Sequence, residues 1–151
     1  MSNGHRMVQK VETFRFETSG RGFLDITSEL ARLVERHANG IGLLTVFLRH
    51  TSASLTIQEN ADPDVLDDLM DALDALAPRK AGYRHTTEGA DDMPAHIRTM
   101  LTGCQLSIPI THSRLALGTW QAVYLIEHRD RPHTREVVAH LLTQEERDAH
   151  R

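Results

Sequence analysis

Between Thr119 and Glu127 the sequence alternates with apolar side chains on both sides. Trp120, Ala122, Tyr124 and Ile126 fall on one face, and Val123 and Leu125 on the other, with Gln121 and Glu127 near the ends. A strand that is apolar on both faces needs something packed against each of them. The domain's own core supplies one cover, and a second subunit is a candidate for the other. That single segment excludes a lone sheet with one face in water.

The neighbouring elements follow from periodicity. Val8–Thr18, rich in Val, Phe and Thr, reads as a strand running into the turn Ser19-Gly20-Arg21-Gly22. In Ile26–Ala38, residues Leu30, Leu33, Val34 and His37 recur at helical spacing, with Thr27 as the expected N-cap and Asn39-Gly40 as the stop. Gly42–Arg49 and Ser54–Gln58 read as strands. Pro63–Ala77 is the clearest helix: Asp62 can cap it, Pro63 suits the first turn, and Pro78 lies just past the end. Its stripe is Val65, Leu66, Leu69, Met70, Leu73 and Leu76. The aspartates Asp67, Asp68, Asp71 and Asp74 are explained as its wet face, not as a metal-binding run. A polar loop spans 81–92, a short helix 93–102 ends at Gly103, and strands follow over 105–110, 115–128 and 136–142. The expected fold class is α+β: a single domain over 1–151, with a core of about 8–142, a mixed or antiparallel sheet and about three helices.

Composition narrows the function. Lys+Arg 17 against Asp+Glu 21 gives a net charge of -4, which disfavours a non-specific nucleic-acid binder, since such binding comes from Lys and Arg on phosphates. No apolar run approaches the roughly 20 residues of a membrane span. MSNGHRMVQK lacks the apolar centre of a signal peptide. A lone cysteine, Cys104, reads as a small core residue and can form no internal disulfide. The expectation is a cytoplasmic protein with no nucleic-acid or membrane partner.

The oddity is ten histidines. His5, His37, His112, His140 and His150 read as surface or structural residues. His50, Thr51 and Ser52 break two strands, where an imidazole and hydroxyls can edge a pocket; a turn satisfying its own backbone explains the hydroxyls equally. Glu59 and Asn60 stand where a strand hands over to a helix. His85 to His96 gathers two histidines with Glu88, Asp91 and Asp92 in twelve residues. One aspartate is expected to cap the helix, leaving a carboxylate with His85 and His96 for a divalent cation, Zn or Mg/Mn. That spacing matches no zinc signature. Gly118-Thr119-Trp120-Gln121 joins a permissive glycine to a hydroxyl, an indole and an amide, and Glu127-His128-Arg129 closes the same strand. Phosphate-loop and dinucleotide fingerprints are absent, as is Gly-x-Ser-x-Gly, and no organic cofactor is expected.

Four of these segments stand together in a recognisable order. His50-Thr51-Ser52-Ala53-Ser54-Leu55, Glu59-Asn60-Ala61-Asp62-Pro63, Glu88 through Ile97, and Leu117-Gly118-Thr119-Trp120-Gln121 resemble the YjbQ-like family from about Thr13 to Leu141. Members of that family are known as secondary thiamine-phosphate synthase enzymes. The resemblance implies a homotrimer with a weak transferase activity, joining a pyrimidine-methyl diphosphate to a thiazole phosphate and releasing pyrophosphate. It implies catalytic roles for His50, Glu59, His96 and Glu127. Substrate contacts fall to Thr51, Ser52, Asn60, Thr119, Trp120 and Gln121, and metal contacts to His50, His85, Asp92 and His96. The expected ligand is a small phosphorylated heterocycle, or phosphate or sulfate. Two other readings stay open on the same cluster: a metal-assisted hydrolase or lyase, and a non-enzymatic metal- or anion-binding trimer. Met93-Pro94 departs from the family's Asn-small pair, and Glu127–His133 from its acidic-Gly-Pro-Arg turn, which leaves Arg129, Arg131 or Arg135 to serve as the anion-binding arginine.

Overall fold

Asp62 caps its helix as expected: its Oδ1 accepts the Asp64 N–H at 3.0 Å, and Pro63 occupies the first turn. That helix is one of three in the computed structural model, which describes residues 6–145; His5 and His150 lie outside the described residues. In chain order the elements are β1 (Met7–Glu17), β2 (Gly22–Asp25), α1 (Thr27–His37), β3 (Gly42–Leu48), β4 (Ala53–Glu59), α2 (Pro63–Leu76), α3 (Asp92–Thr102), β5 (Gln105–Thr111), β6 (Arg114–Leu115), β7 (Gln121–Glu127) and β8 (Thr134–Gln144).

The strands form two sheets, and every pairing is antiparallel. One has the order β1-β8-β3-β5-β6 and the other β2-β7-β4. Their inner faces enclose one core with α1. Leu44, Val46, Ile108, Val137 and Leu141 come from the first sheet, Leu55, Val123 and Leu125 from the second, and Leu30, Leu33 and Val34 from the helix. The chain is a single α+β domain, as the patterning implied.

Both faces of β7 are covered by this chain alone, so no second subunit is needed there. Val123 and Leu125 face the main core. Ala122, Tyr124, Ile126 and His128 are buried on the opposite side, where α3 lies across β4: the Thr102 and Ser54 hydroxyls are 2.6 Å apart.

Three expectations change. The strand expected over 115–128 is interrupted, because the Gln121 side chain accepts the Gly118 N–H at 2.8 Å and closes a turn between β6 and β7. Thr27 does not cap α1; Asp25 accepts its N–H at 2.9 Å, while its hydroxyl accepts the Val123 N–H and ties the helix to β7. Neither Asp91 nor Asp92 caps α3 through its side chain; a stronger donor, the Arg129 guanidinium, holds both.

His128 is fully buried, its Nε2 2.7 Å from the Ser54 hydroxyl and its Nδ1 without a protein partner. Burial, with the nearby Arg98 charge, pushes its pKa down to about 3, although Glu127 pulls the other way. The unfolded chain protonates this ring near pH 6.5 and the folded chain does not, so stability falls as pH drops through that window. The loss between pH 7 and pH 5 is expected to be about 2 kcal/mol. Urea unfolding at both pH values should show it, and His128→Gln should flatten it. An NMR titration in which the His128 ring protonates above pH 5.5 would overturn this account.

Candidate metal centre

The loop from Ala77 to Asp91 carries His85, and the first turn and second turn of α3 carry Asp92 and His96, spaced four apart and so on one helix face. Folding the loop back places the three together. His85 Nε2 lies 2.6 Å from Asp92 Oδ2 and His96 Nε2 lies 3.1 Å from the same oxygen, with the imidazole centroids 5.5 Å apart. One ligand atom from each residue fits within 4.8 Å of the others.

The surroundings orient these groups. His96 Nδ1 stands 3.0 Å from the Thr51 carbonyl. A carbonyl only accepts, so Nδ1 carries a hydrogen, and the ring turns Nε2 toward Asp92. Asp92 is buried, and Arg129 Nη1 donates to its Oδ1 at 2.8 Å, leaving Oδ2 for the histidines. Arg129 also holds Asp91 Oδ2 through Nε at 2.9 Å and the Glu88 carbonyl through Nη2, which locks the loop to the end of β7. Burial pushes the Asp92 carboxyl up. The His85 hydrogen bond and the His96 and Arg129 charges outweigh it and hold the group below the ordinary carboxylate value. Two imidazoles and an anionic oxygen, with His96 and Asp92 each held by a further partner, are the donor set of a zinc-like ion.

The other expected site residues divide between two ends of one strand pair. Ala53 pairs with Glu127 at one end and Glu59 with Gln121 at the other, about 20 Å away for seven-residue strands. Thr51, Ser52, Glu127 and the cluster share the first end. His50 lies there too, but its Nε2 accepts the Glu136 N–H at 2.8 Å, and it stands outside the ligand set. Glu59, Asn60, Thr119, Trp120 and Gln121 sit at the far end. There Trp120 is 63% exposed, its carbonyl accepts the Asn60 N–H, and the Gln121 side chain serves a turn. Glu127 touches no ligand of the cluster. Its carboxylate accepts from Thr18 Oγ1 at 2.7 Å, Arg135 Nε at 2.8 Å and the Arg129 N–H at 3.2 Å. Burial pushes its pKa up, and the Arg135 and Thr18 hydrogen bonds bring it below the ordinary value.

Of the three arginines left open for an anion, Arg129 is committed to Asp91 and Asp92, and Arg135 to Glu127 and to Ser52 Oγ at 3.0 Å; Arg131 alone is exposed. The anchoring of Asp92 by Arg129 was not legible in the sequence. The two residues are 37 apart, and no local pattern links them.

The family model described as UPF0047 protein YjbQ-like matches residues 12–144. A UPF0047 protein of Synechocystis is 50% identical over 143 residues, covering 89% of this chain and 97% of that one. The UPF0047 protein YjbQ of Escherichia coli O157:H7 is 40% identical over 131 residues, covering 86% and 95%. A solved structure from Clostridium acetobutylicum, an uncharacterized conserved protein of the yjbq/upf0047 family, is 36% identical with a TM-score of 0.77 and coverage of 89% and 99%. One from Sulfolobus solfataricus, called a YbjQ-like protein of unknown function, is 20% identical with a TM-score of 0.80 and shares the fold, covering 90% and 99%.

These findings correct the expected thiamine-phosphate synthase-type transfer. The relatives carry the name of an uncharacterised family, the Sulfolobus protein is of unknown function, and none is named for a synthase or a transferase. Trp120, an expected substrate contact for such a reaction, also lies at the opposite end of β7 from the cluster. By a family match over 12–144 and full-length relatives at up to 50% identity, the chain belongs to the UPF0047 YjbQ-like family.

Proposed function

We propose that His85, Asp92 and His96 hold one divalent metal ion, zinc-like by its donor set, and that the site serves metal-assisted hydrolysis of a small molecule. One observation carries this reading. With His96 Nδ1 committed to the Thr51 carbonyl, Nε2 is the nitrogen that faces an Asp92 oxygen, at 3.1 Å. Two acceptors at that distance repel unless a proton or a cation lies between them, and the His85 Nε2 converges on the same oxygen. Ligand atoms about 2.1 Å from a tetrahedral zinc are roughly 3.4 Å apart, close to what the cluster already offers. Three protein ligands leave one coordination position open, where the ion supplies Lewis acidity to a bound water. His85, 40% exposed at its side chain, marks the side from which that position is reached.

Chelator-stripped protein titrated with zinc chloride should take up one equivalent per chain and unfold at a higher temperature when loaded. A protein that binds no zinc would overturn the reading and leave His96 doubly protonated against Asp92.

A homotrimer fits the outer face of the five-stranded sheet. Val11, Val138 and Phe47, with Leu142, Leu43 and Pro109, point away from the core along neighbouring strands. Phe47 is 45% exposed and Val11 63%, an apolar face that a subunit contact would cover. A cytoplasmic setting agrees with the lone half-buried Cys104. No helix among the described residues is long and apolar enough to cross a membrane.

A further inference from the structure

Beside the cluster, the loop between α2 and α3 wraps a cavity of about 290 Å³ with His85 in its wall. We infer that this cavity binds a compact organic anion, with Lys80 taking the charge and Tyr83 and Met93 the apolar body, and delivers it to the metal position at His85. The inference rests on the metal reading for its last step only.

Charge is the first support. The chain has more acidic than basic residues, yet no Asp or Glu lines this cavity, while Arg79, Lys80 and His85 do. The adjoining cavity gives the contrast: Arg79, Arg129 and Arg131 face Glu88, Asp91 and Asp130, so its charges balance. Arg79 is already paired with Asp130. Lys80 has no carboxylate within ion-pair distance among the described residues, which leaves its ammonium free for a ligand.

Shape is the second support. The Tyr83 hydroxyl donates to the Pro78 carbonyl at 2.7 Å. That bond holds the ring within the loop, where it lines the cavity. Gly82, at φ +69, makes the reversal that puts Lys80 and Tyr83 on one wall. Met93, first to follow the ligand Asp92, adds an adaptable apolar surface. The volume lies just below the usual range of small-molecule sites and suits a compact ligand. An anion seated on Lys80 has the open metal position at the His85 wall beside it, so the scissile bond of an ester would fall between the two charges.

The test is calorimetric binding of phenyl phosphate to the full chain, with and without zinc, against benzyl alcohol as the neutral match. Lys80→Glu should raise the phenyl phosphate Kd roughly tenfold or more, and Lys80→Arg should keep it within about threefold. Both variants should bind zinc as the wild type does, and benzyl alcohol should bind neither. Wild-type affinity in Lys80→Glu, or equal binding of benzyl alcohol, would overturn the inference and leave the metal reading untouched. Lys80-dependent phosphate binding by a protein that takes up no zinc would uphold the cavity and remove the metal.

Discussion

Replacing His96 by alanine is expected to weaken zinc binding by at least about 100-fold, more than the loss usual for a group that only orients a ligand. Three effects combine. The variant loses one of two nitrogen donors, frees the Thr51 carbonyl that fixed the ring, and leaves Asp92 Oδ2 with His85 alone. The fold should survive, because His96 is half-exposed and the helix around it is held by Pro94, Ala95 and Arg98, all buried. Elemental analysis and zinc titration of the purified variant check this directly. Full zinc occupancy with an unchanged affinity would place the ion elsewhere. Circular dichroism run beside it separates a lost ligand from a lost fold.

Glu127→Gln is expected to cost about 3–5 kcal/mol of stability, because it strands the Arg135 guanidinium in the interior without a counter-charge. Both members of the pair are almost wholly buried, at 1% and 3% exposure. The Thr18 hydroxyl and the Arg129 N–H complete the shell around the carboxylate. Its folded pKa lies below the ordinary 4.5. The stabilisation is therefore intact above that pH and is lost as the pH falls through the folded value. Urea unfolding at pH 7 measures the cost. A variant within about 1 kcal/mol of wild type would show that the pair stabilises no more than an exposed one. Zinc affinity of the folded variant should stay within about threefold, since no Glu127 atom is a ligand of the cluster. A large loss of zinc affinity in a stable variant would instead return Glu127 to the site chemistry that the sequence suggested for it.

Two carboxylates at this end of the fold differ in what their oxygens have left to offer. Glu127 and Asp92 are both acidic, both stand at an element end beside a histidine, and both accept from an arginine. Asp92 keeps one oxygen turned to two imidazoles, whereas both oxygens of Glu127 are taken by Arg135, Thr18 and the backbone. The difference is one of unoccupied lone pairs, which only a folded chain displays.

The helix over 63–77 and its Asp62 cap were legible because capping and amphipathic spacing act within a few residues. The convergence of His85 and His96 was legible for the same reason: seven residues separate His85 from Asp92, and four more reach His96. The alternation of β7 correctly demanded cover on both faces, but it could not say whose. The same chain supplies it, with Ala122, Tyr124, Ile126 and His128 all buried on the second face. Sequence alone also grouped Trp120, Gln121 and Glu59 with the histidines, since a motif order carries no direction in space. An antiparallel pair of seven-residue strands sends them to the opposite end.

What the sequence determined by itself was therefore local: most element types, the Asp62 cap, the single α+β domain and the short-range histidine cluster. These depend on backbone propensity and on apolar periods of two and 3.6 residues, all written in neighbouring positions. The tertiary structure alone decided the two-sheet topology, the assignment of Arg129 to Asp92 and of Arg135 to Glu127, and the acid-free cavity at Lys80. Each of these needs residues far apart in the chain to meet. Burial and the pairing of long-range charges then set which lone pairs remain open to a ligand.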